Sequence, residues 1–248
     1  MSKRAVAVDK TTPRIESQRA FYEDRWRAYG FANRLKLERC VAILEGLAAT
    51  RFYQPKILDL GCGTGWLSGM VGNFGPTTAL DLSSVAVEDA ALKHPQVQFI
   101  QADVLNWEHG TEQFDVVISQ EVIEHVEDQR AYIQVANRML RRGGYLILTT
   151  PNARTLNAMP EEQRDSWSQQ PIENWVSISE LRKLLNDHFE IVRLTTIISG
   201  YGVKGTYLLA NSRRLRSILE KFKCGSLFDA LRLRLGYGLH IVALTIKK

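Results

Sequence analysis

Glu121, Glu124 and His125 stand close together, directly after the apolar run Phe114-Asp115-Val116-Val117-Ile118-Ser119. If a helix begins near residue 120, spacings of three and four bring all three side chains to one side. A histidine oriented by a carboxylate can take a proton from a weak nucleophile, so the trio are candidate catalytic residues. The same set supplies three ligands of an octahedral divalent site, with no evident fourth, and no residue is assigned to a metal. A third reading leaves Glu124 and His125 bracing the start of the helix.

Upstream lies Ile57-Leu58-Asp59-Leu60-Gly61-Cys62-Gly63-Thr64-Gly65. Ile57, Leu58 and Leu60 suit a strand covered on both faces. The three glycines allow an abrupt turn into a helix and let a ligand lie against bare backbone. Amides at the helix start would face that ligand. A dinucleotide fingerprint would instead place its third glycine at position 66, where this chain has Trp66. The next acid, Asp81, follows the apolar run Ala79-Leu80 and precedes Leu82. A carboxylate there can accept hydrogen bonds from both hydroxyls of a ribose.

These residues need elements to hold them. Further strands are expected at Val97–Ile100, Phe114–Ser119 and Tyr145–Thr150, with others at Phe189–Ile198 and Leu239–Ile246. Helices are expected at Asn33–Ala49, with Leu37, Val41, Leu44 and Leu47 on one face, and at Trp66–Val71 and Ser84–Leu92. Asp128–Leu140 continues the alternation and is ended by Gly143-Gly144. Ser177-Ile178-Ser179-Glu180 has the form of a capping box opening another helix. Strands alternating with helices argue for a parallel sheet with right-handed crossovers.

The ordered set from Lys56 to Asn152 resembles the class I S-adenosylmethionine-dependent methyltransferases. Glu121-Val122-Ile123-Glu124-His125-Val126 is similar to the ubiquinone-biosynthesis type of small-molecule O-methyltransferase. It is also similar to the small-RNA 3′-terminal 2′-O-methyltransferases, whose E-x-x-E-H motif and a later His hold a divalent metal. The comparable later segment here, Gln170–Trp175, has no His. The resemblance implies an α/β, Rossmann-like, seven-stranded and mostly parallel sheet with helices on both faces. Its last strand would be antiparallel, with a helical insertion between the last two strands. It implies one domain over residues 1–248: a helical cover at 1–50, a cofactor-binding core at 56–152 and an acceptor-side half at 153–248. The cofactor would be S-adenosyl-L-methionine. Asp59 would orient its amino group, and Gly61, Cys62 and Gly63 would pass beneath its methionine part. Asp81 and Leu82 would take the ribose, Asp103 and Val104 would frame the adenine, and Gln120 would line the floor near the sulfonium. The activity implied is O-methylation of a small-molecule or lipid-linked acceptor. The alternatives are RNA 2′-O-methylation and cofactor binding without catalysis.

A chain of 248 residues can bury one sizeable core. Cys40, Cys62 and Cys224 have no metal or disulfide spacing, which favours reduced thiols and a cytoplasmic protein. The start lacks the long apolar stretch of a secretory signal, and no run suits a membrane-spanning helix. The net charge of +5 is concentrated: from Tyr201 onward there are ten cations and only Glu220 and Asp229 as acids. This basic insertion, Tyr201 to Gly238, reads first as a lid over the acceptor site. Its second reading is a peripheral contact with an anionic membrane at the inner surface, through Arg213, Arg214, Arg216, Lys221 and Lys223 beside Leu215, Ile218, Leu219 and Phe222. Nucleic acid is disfavoured, because Tyr207, Phe222 and Phe228 do not interleave as a stacking platform would.

Overall fold

The computed structural model describes residues 14–28, 33–108, 110–165, 170–199, 204–210 and 212–248. The polar start of the chain, Tyr29, Trp167 and the first residues of the insertion lie outside these. Two helices come first, α1 (Ile15–Ala28) and α2 (Arg34–Ala49). Then follow β1 (Ile57–Leu60), α3 (Trp66–Val71), β2 (Thr77–Asp81), α4 (Ser84–Lys93), β3 (Gln98–Gln101) and β4 (Phe114–Gln120). A 3-10 turn at Ile123–His125 leads to α5 (Gln129–Met139) and β5 (Leu140–Pro151). The last part holds α6 (Ala153–Asn157), α7 (Glu161–Asp165), α8 (Ile178–Asn186) and β6 (Phe189–Ser199). It ends with α9 (Thr206–Ala210), α10 (Arg213–Lys221), α11 (Gly225–Arg234) and β7 (Gly238–Lys247).

The seven strands form one sheet in the order β3-β2-β1-β4-β5-β7-β6. All pairings are parallel except those of β7, which runs antiparallel to both neighbours. The period of two along each strand sorts the core into two layers. Ile57, Val116, Ile118, Ile147 and Leu244 face α2 and α3. Leu58, Leu60, Val117, Leu146 and Leu148 face the other way, towards α5 and α8. The strand order reverses beside β1, so the β1 and β4 ends form the crevice where α/β sheets bind ligands.

Local chemistry sets the helix starts. The side chains of Asn33, Ser83 and Asp128 each accept a backbone amide of the first turn, and Ser177 with Glu180 completes the expected capping box. Two expectations are corrected. The buried face of α2 is Cys40, Ile43, Gly46 and Leu47, whereas Leu37 and Val41 are exposed. Packing against the sheet, not the spacing of the largest apolar residues, chose that face. Gly143-Gly144 does not end α5: β5 begins at once at Leu140, and the glycines lie in a bulge between the Phe114–Leu140 and Val116–Tyr145 pairings.

Candidate functional site

The C-terminal ends of β1, β2 and β4 open into a cavity of about 450 Å³, within the usual range of roughly 300–1,000 Å³ for small-molecule pockets. Gly61, Cys62 and Gly63 line it, with Asp81, Leu82, Asp103, Val104 and Gln120. Glu121 and His125 line it as well, and α1 contributes Tyr22, Arg25 and Trp26 to its wall.

Bare backbone at the turn is a geometric necessity. Gly61 and Gly63 have φ of 77° and 52°, in the left-handed region. A Cβ on Gly61 would stand 2.4 Å from Val122, and one on Gly63 would stand 2.8 Å from the Trp26 ring. Gly63→Ala is therefore expected to lower stability by about 1–3 kcal/mol and to displace α1 from the cavity, measured as a lower melting temperature and increased proteolysis near Trp26. The amides of the turn itself are used within it. Gly61 and Cys62 both donate to the Leu80 carbonyl, Gly65 donates to that of Cys62, and Gly63 donates to Asp81 Oδ2 at 2.7 Å. These amides hold the turn together rather than facing a ligand.

Asp81 sits where β2 ends, its Oδ1 accepting from the Ser83 amide at 3.0 Å. Burial raises its pKa above the ordinary value, against the amides of Ser83, Gly63 and Leu82 that favour its charge. Asp103 lines the cavity while capping its own loop through the Leu105 amide and the Asn106 side chain. Gln120 reaches Cys40 Sγ at 3.3 Å. Asp59 is placed otherwise than expected: it does not line the cavity but is buried under the turn, where the Ser68 hydroxyl donates to it at 2.6 Å. Burial raises its pKa to about 7, opposed by the Ser68 bond and helped by the charge of Asp81.

The trio are not on a helix that begins near residue 120. Glu121 takes a left-handed φ of 58° straight after β4, and only a 3-10 turn follows. The three side chains therefore meet different surroundings. The Thr149 hydroxyl donates to Glu121 Oε1 at 3.0 Å. Glu121 Oε2 lies 2.9 Å from Nδ1 of the fully buried His240 and 3.8 Å from Arg39 Nε. Arg39 can only donate, so its contact at 3.3 Å leaves the ring proton of His240 on Nδ1, towards Glu121. Burial opposes the charge of Glu121, but His240, Arg39 and Thr149 outweigh it and hold its pKa down at about 2.

Glu124 lies behind the cavity wall, fully buried, with the Thr150 hydroxyl donating to Oε2 at 2.9 Å. Burial and the charge of Glu121 push its pKa well above the ordinary value, which favours the protonated acid. Its Oε1 has no hydrogen-bond partner among the described residues and lies 3.6 Å from His125 Nε2. His125 Nδ1 is 2.9 Å from the Ile172 carbonyl, which can only accept, so Nδ1 carries the proton. The Nε2 lone pair then accepts from the Gln170 amide at 2.8 Å. Burial lowers the His125 pKa to about 4, although the Ile172 bond and Glu121 favour its charge.

These assignments make the two glutamates respond oppositely. Glu121→Ala strands Arg39 and His240 without their acid and is expected to cost about 3–5 kcal/mol. Glu124→Gln replaces a carboxyl group whose burial favours the protonated form by an amide of similar size and is expected to leave stability near wild type. Chemical denaturation of both variants checks the contrast. Since the native Glu121 pKa lies below its ordinary 4.5, its contribution to stability is full above that value and is lost as pH falls towards 2.

A family profile described as a methyltransferase domain matches residues 23–193. Among curated relatives, the ubiquinone biosynthesis O-methyltransferase of Caulobacter sp. (strain K31) is 37% identical over 123 residues, covering 46% of this chain and 48% of the relative. The malonyl-[acyl-carrier protein] O-methyltransferase of Paenibacillus sp. (strain JDR-2) is 32% identical over 123 residues, 46% and 45% of the two chains. This chain belongs to the class I S-adenosylmethionine-dependent methyltransferases. It spans about half the length of the curated relatives it matches. Among solved structures, the N-methyltransferase NodS of Bradyrhizobium japonicum, in complex with S-adenosyl-L-homocysteine, aligns with a TM-score of 0.60 at 16% identity, over 96% of this chain and 99% of that one. Magnesium protoporphyrin IX methyltransferase from Synechocystis PCC 6803 gives 0.60 at 18% identity, over 94% and 99%. At such identity the likeness shows the fold.

The family's cofactor, S-adenosylmethionine, fits the residues of this methyltransferase. Gly61, Cys62 and Gly63 line the cavity, two of them with no Cβ, and Asp81 lines it beside that turn, bonded to the Gly63 amide. Gly61–Gly63 would hold the methionine part, Asp81 and Leu82 the ribose, and Asp103 and Val104 the adenine. Asp59 would act only through the turn it underpins. Sequence reasoning took Tyr22 and Trp26 as part of a helical cover and gave no role to Arg39, Gln170 or His240. Nothing local marks those three: Arg39 and His240 reach Glu121 from α2 and β7.

Proposed function

We propose that this methyltransferase acts on an oxygen atom of a small-molecule or lipid-linked acceptor, with His125 as the base. The observation that carries this reading is the Nε2 lone pair of a buried His125 in the cavity wall, beyond the cofactor end. Bound S-adenosylmethionine supplies a methyl group on a good leaving group. An acceptor hydroxyl in place of the Gln170 amide would give its proton to Nε2 as its oxygen takes the methyl. The Ile172 carbonyl keeps the ring's other nitrogen protonated, so Nε2 is ready to receive. The imidazolium formed would lie near the carboxylate of Glu121, whose charge favours it. Glu121 thus stabilises that charge without touching the acceptor proton.

The O-methyltransferase names of two relatives support oxygen as the acceptor atom. RNA 2′-O-methylation lacks a comparable observation. The segment that would bring a later His instead places Gln170 and the Ile172 carbonyl against His125, and Glu121 is engaged by His240 and Arg39. Incubating the protein and its His125→Ala variant with methyl-labelled cofactor and a cell extract tests the proposal. Label in an alkali-stable ether or an alkali-labile ester supports it, and label only on nitrogen or carbon overturns it.

A further inference from the structure

We infer that the insertion between β6 and β7 is a docking surface for an anionic lipid bilayer. The inner side of the insertion is fixed to the sheet. Thr196 donates to the Leu233 carbonyl at 2.6 Å, and the Asn152 side chain donates to the carbonyls of Gly236 and Gly238. Tyr207 meets Thr155 at 2.6 Å. Phe228, Arg232 and Leu233 of α11 turn inward, away from full exposure.

The outer sides are left bare in a regular way. On α10, Arg214, Ile218, Lys221 and Phe222 are all exposed, at spacings of four, seven and eight that place them on one stripe. On α11, Leu227, Leu231, Arg234 and Leu235 are exposed with the same spacings. Phe222 is 74% and Leu227 71% accessible, although both are large and apolar. Each helix therefore shows solvent a mixture of cations and large hydrophobic side chains. That is the pattern of a helix lying in a lipid headgroup layer, with ammonium and guanidinium groups at phosphates and apolar groups below them.

Charge separates this occupant from others. Between residues 201 and 238 there are eight cations and two acids, so a second copy would bring like charge against like. Nucleic acid would satisfy the cations and leave Ile218, Leu227, Leu231 and Leu235 against water. A bilayer containing acidic lipids satisfies both. No described helix is long and apolar enough to cross a membrane, so the contact is peripheral. Ser199 pairs with Gly238 and Pro151 with His240, which places the insertion at the strand ends that also hold the cavity. Docking would set the cavity's edge towards the bilayer.

Flotation with vesicles tests this without any methyl transfer, so its outcome is separate from the O-methylation reading. The intact protein is expected to float with phosphatidylcholine vesicles containing phosphatidylglycerol and not with phosphatidylcholine alone, and to be released as salt shortens the screening length. Arg214→Glu with Lys221→Glu is expected to weaken binding by roughly thirtyfold or more. Ile218→Ser with Phe222→Ser is expected to weaken it at least tenfold. Calorimetry with S-adenosylmethionine verifies that both variants are folded. Four results would overturn the proposal: intact protein that ignores phosphatidylglycerol at low salt, binding that neither pair of substitutions changes, a dimer that Phe222→Ser dissociates, or binding to single-stranded RNA in place of vesicles. If a variant does not fold, the lipid and salt dependence of the intact protein still decides.

Discussion

His125→Ala is expected to lower the turnover of methyl transfer by about 10²–10⁴ while S-adenosylmethionine binds with nearly unchanged affinity. The reason is geometric: His125 lines the cavity with Nε2 against the Gln170 amide, and its ring is held by the Ile172 carbonyl rather than by the glycine turn's hydrogen bonds. The pH profile gives a second measurement. The active form is the neutral ring, and burial holds its pKa near 4 instead of the ordinary 6.5. The acid limb of kcat should therefore appear as pH falls through about 4. Stability has the same sign. Between 6.5 and about 4 the unfolded chain binds the proton and the native ring does not. The His125 contribution is thus full above 6.5 and declines as pH falls to about 4. Full turnover in His125→Ala would remove the base, and loss of stability with unchanged specific activity would make His125 a brace for the turn.

Asp81→Ala is expected to weaken S-adenosylmethionine binding at least tenfold. The loss reaches about a hundredfold if each of two ribose hydrogen bonds to the carboxylate contributes ~1.5 kcal/mol. Asp81 also holds the amides of Gly63 and Ser83, so part of the effect could come from a loosened turn. Asp81→Asn separates the contributions, because its one acceptor oxygen can still hold a turn amide but offers a ribose no charge. Recovery of the melting temperature without recovery of calorimetric affinity assigns the loss to the ribose. Wild-type affinity in a folded Asp81→Ala protein would end the assignment.

Much of the frame was legible because its rules are short-range. The runs at Ile57–Leu60 and Phe114–Gln120 became central strands, since apolar residues on both faces have no other place to be buried. Asn33, Ser83, Asp128 and Ser177 each cap a helix with their own side chain, so those boundaries follow from adjacent residues. The glycine turn was legible for the same reason, although the Trp26 ring that makes Gly63 necessary comes from far along the chain. Asp59 misled because a strand-end acid before glycines has two possible faces, and packing turned this one towards Ser68.

The types and spacing of residues by themselves determined the order of strands and helices, the turn at Gly61–Gly65 and the presence of Asp81 and Asp103 at strand ends. Tertiary structure decided what the acids and the histidine can do. Glu121 is held in its charged form because His240 and Arg39 arrive from β7 and α2, and the pKa of Glu124 is pushed up because it is buried beside the charge of Glu121. His125 has its lone pair at Nε2, where the Gln170 amide meets it, because a loop some fifty residues later offers the Ile172 carbonyl to Nδ1. Protonation depends on distance through space and on exclusion of water, and neither is set by separation along the chain.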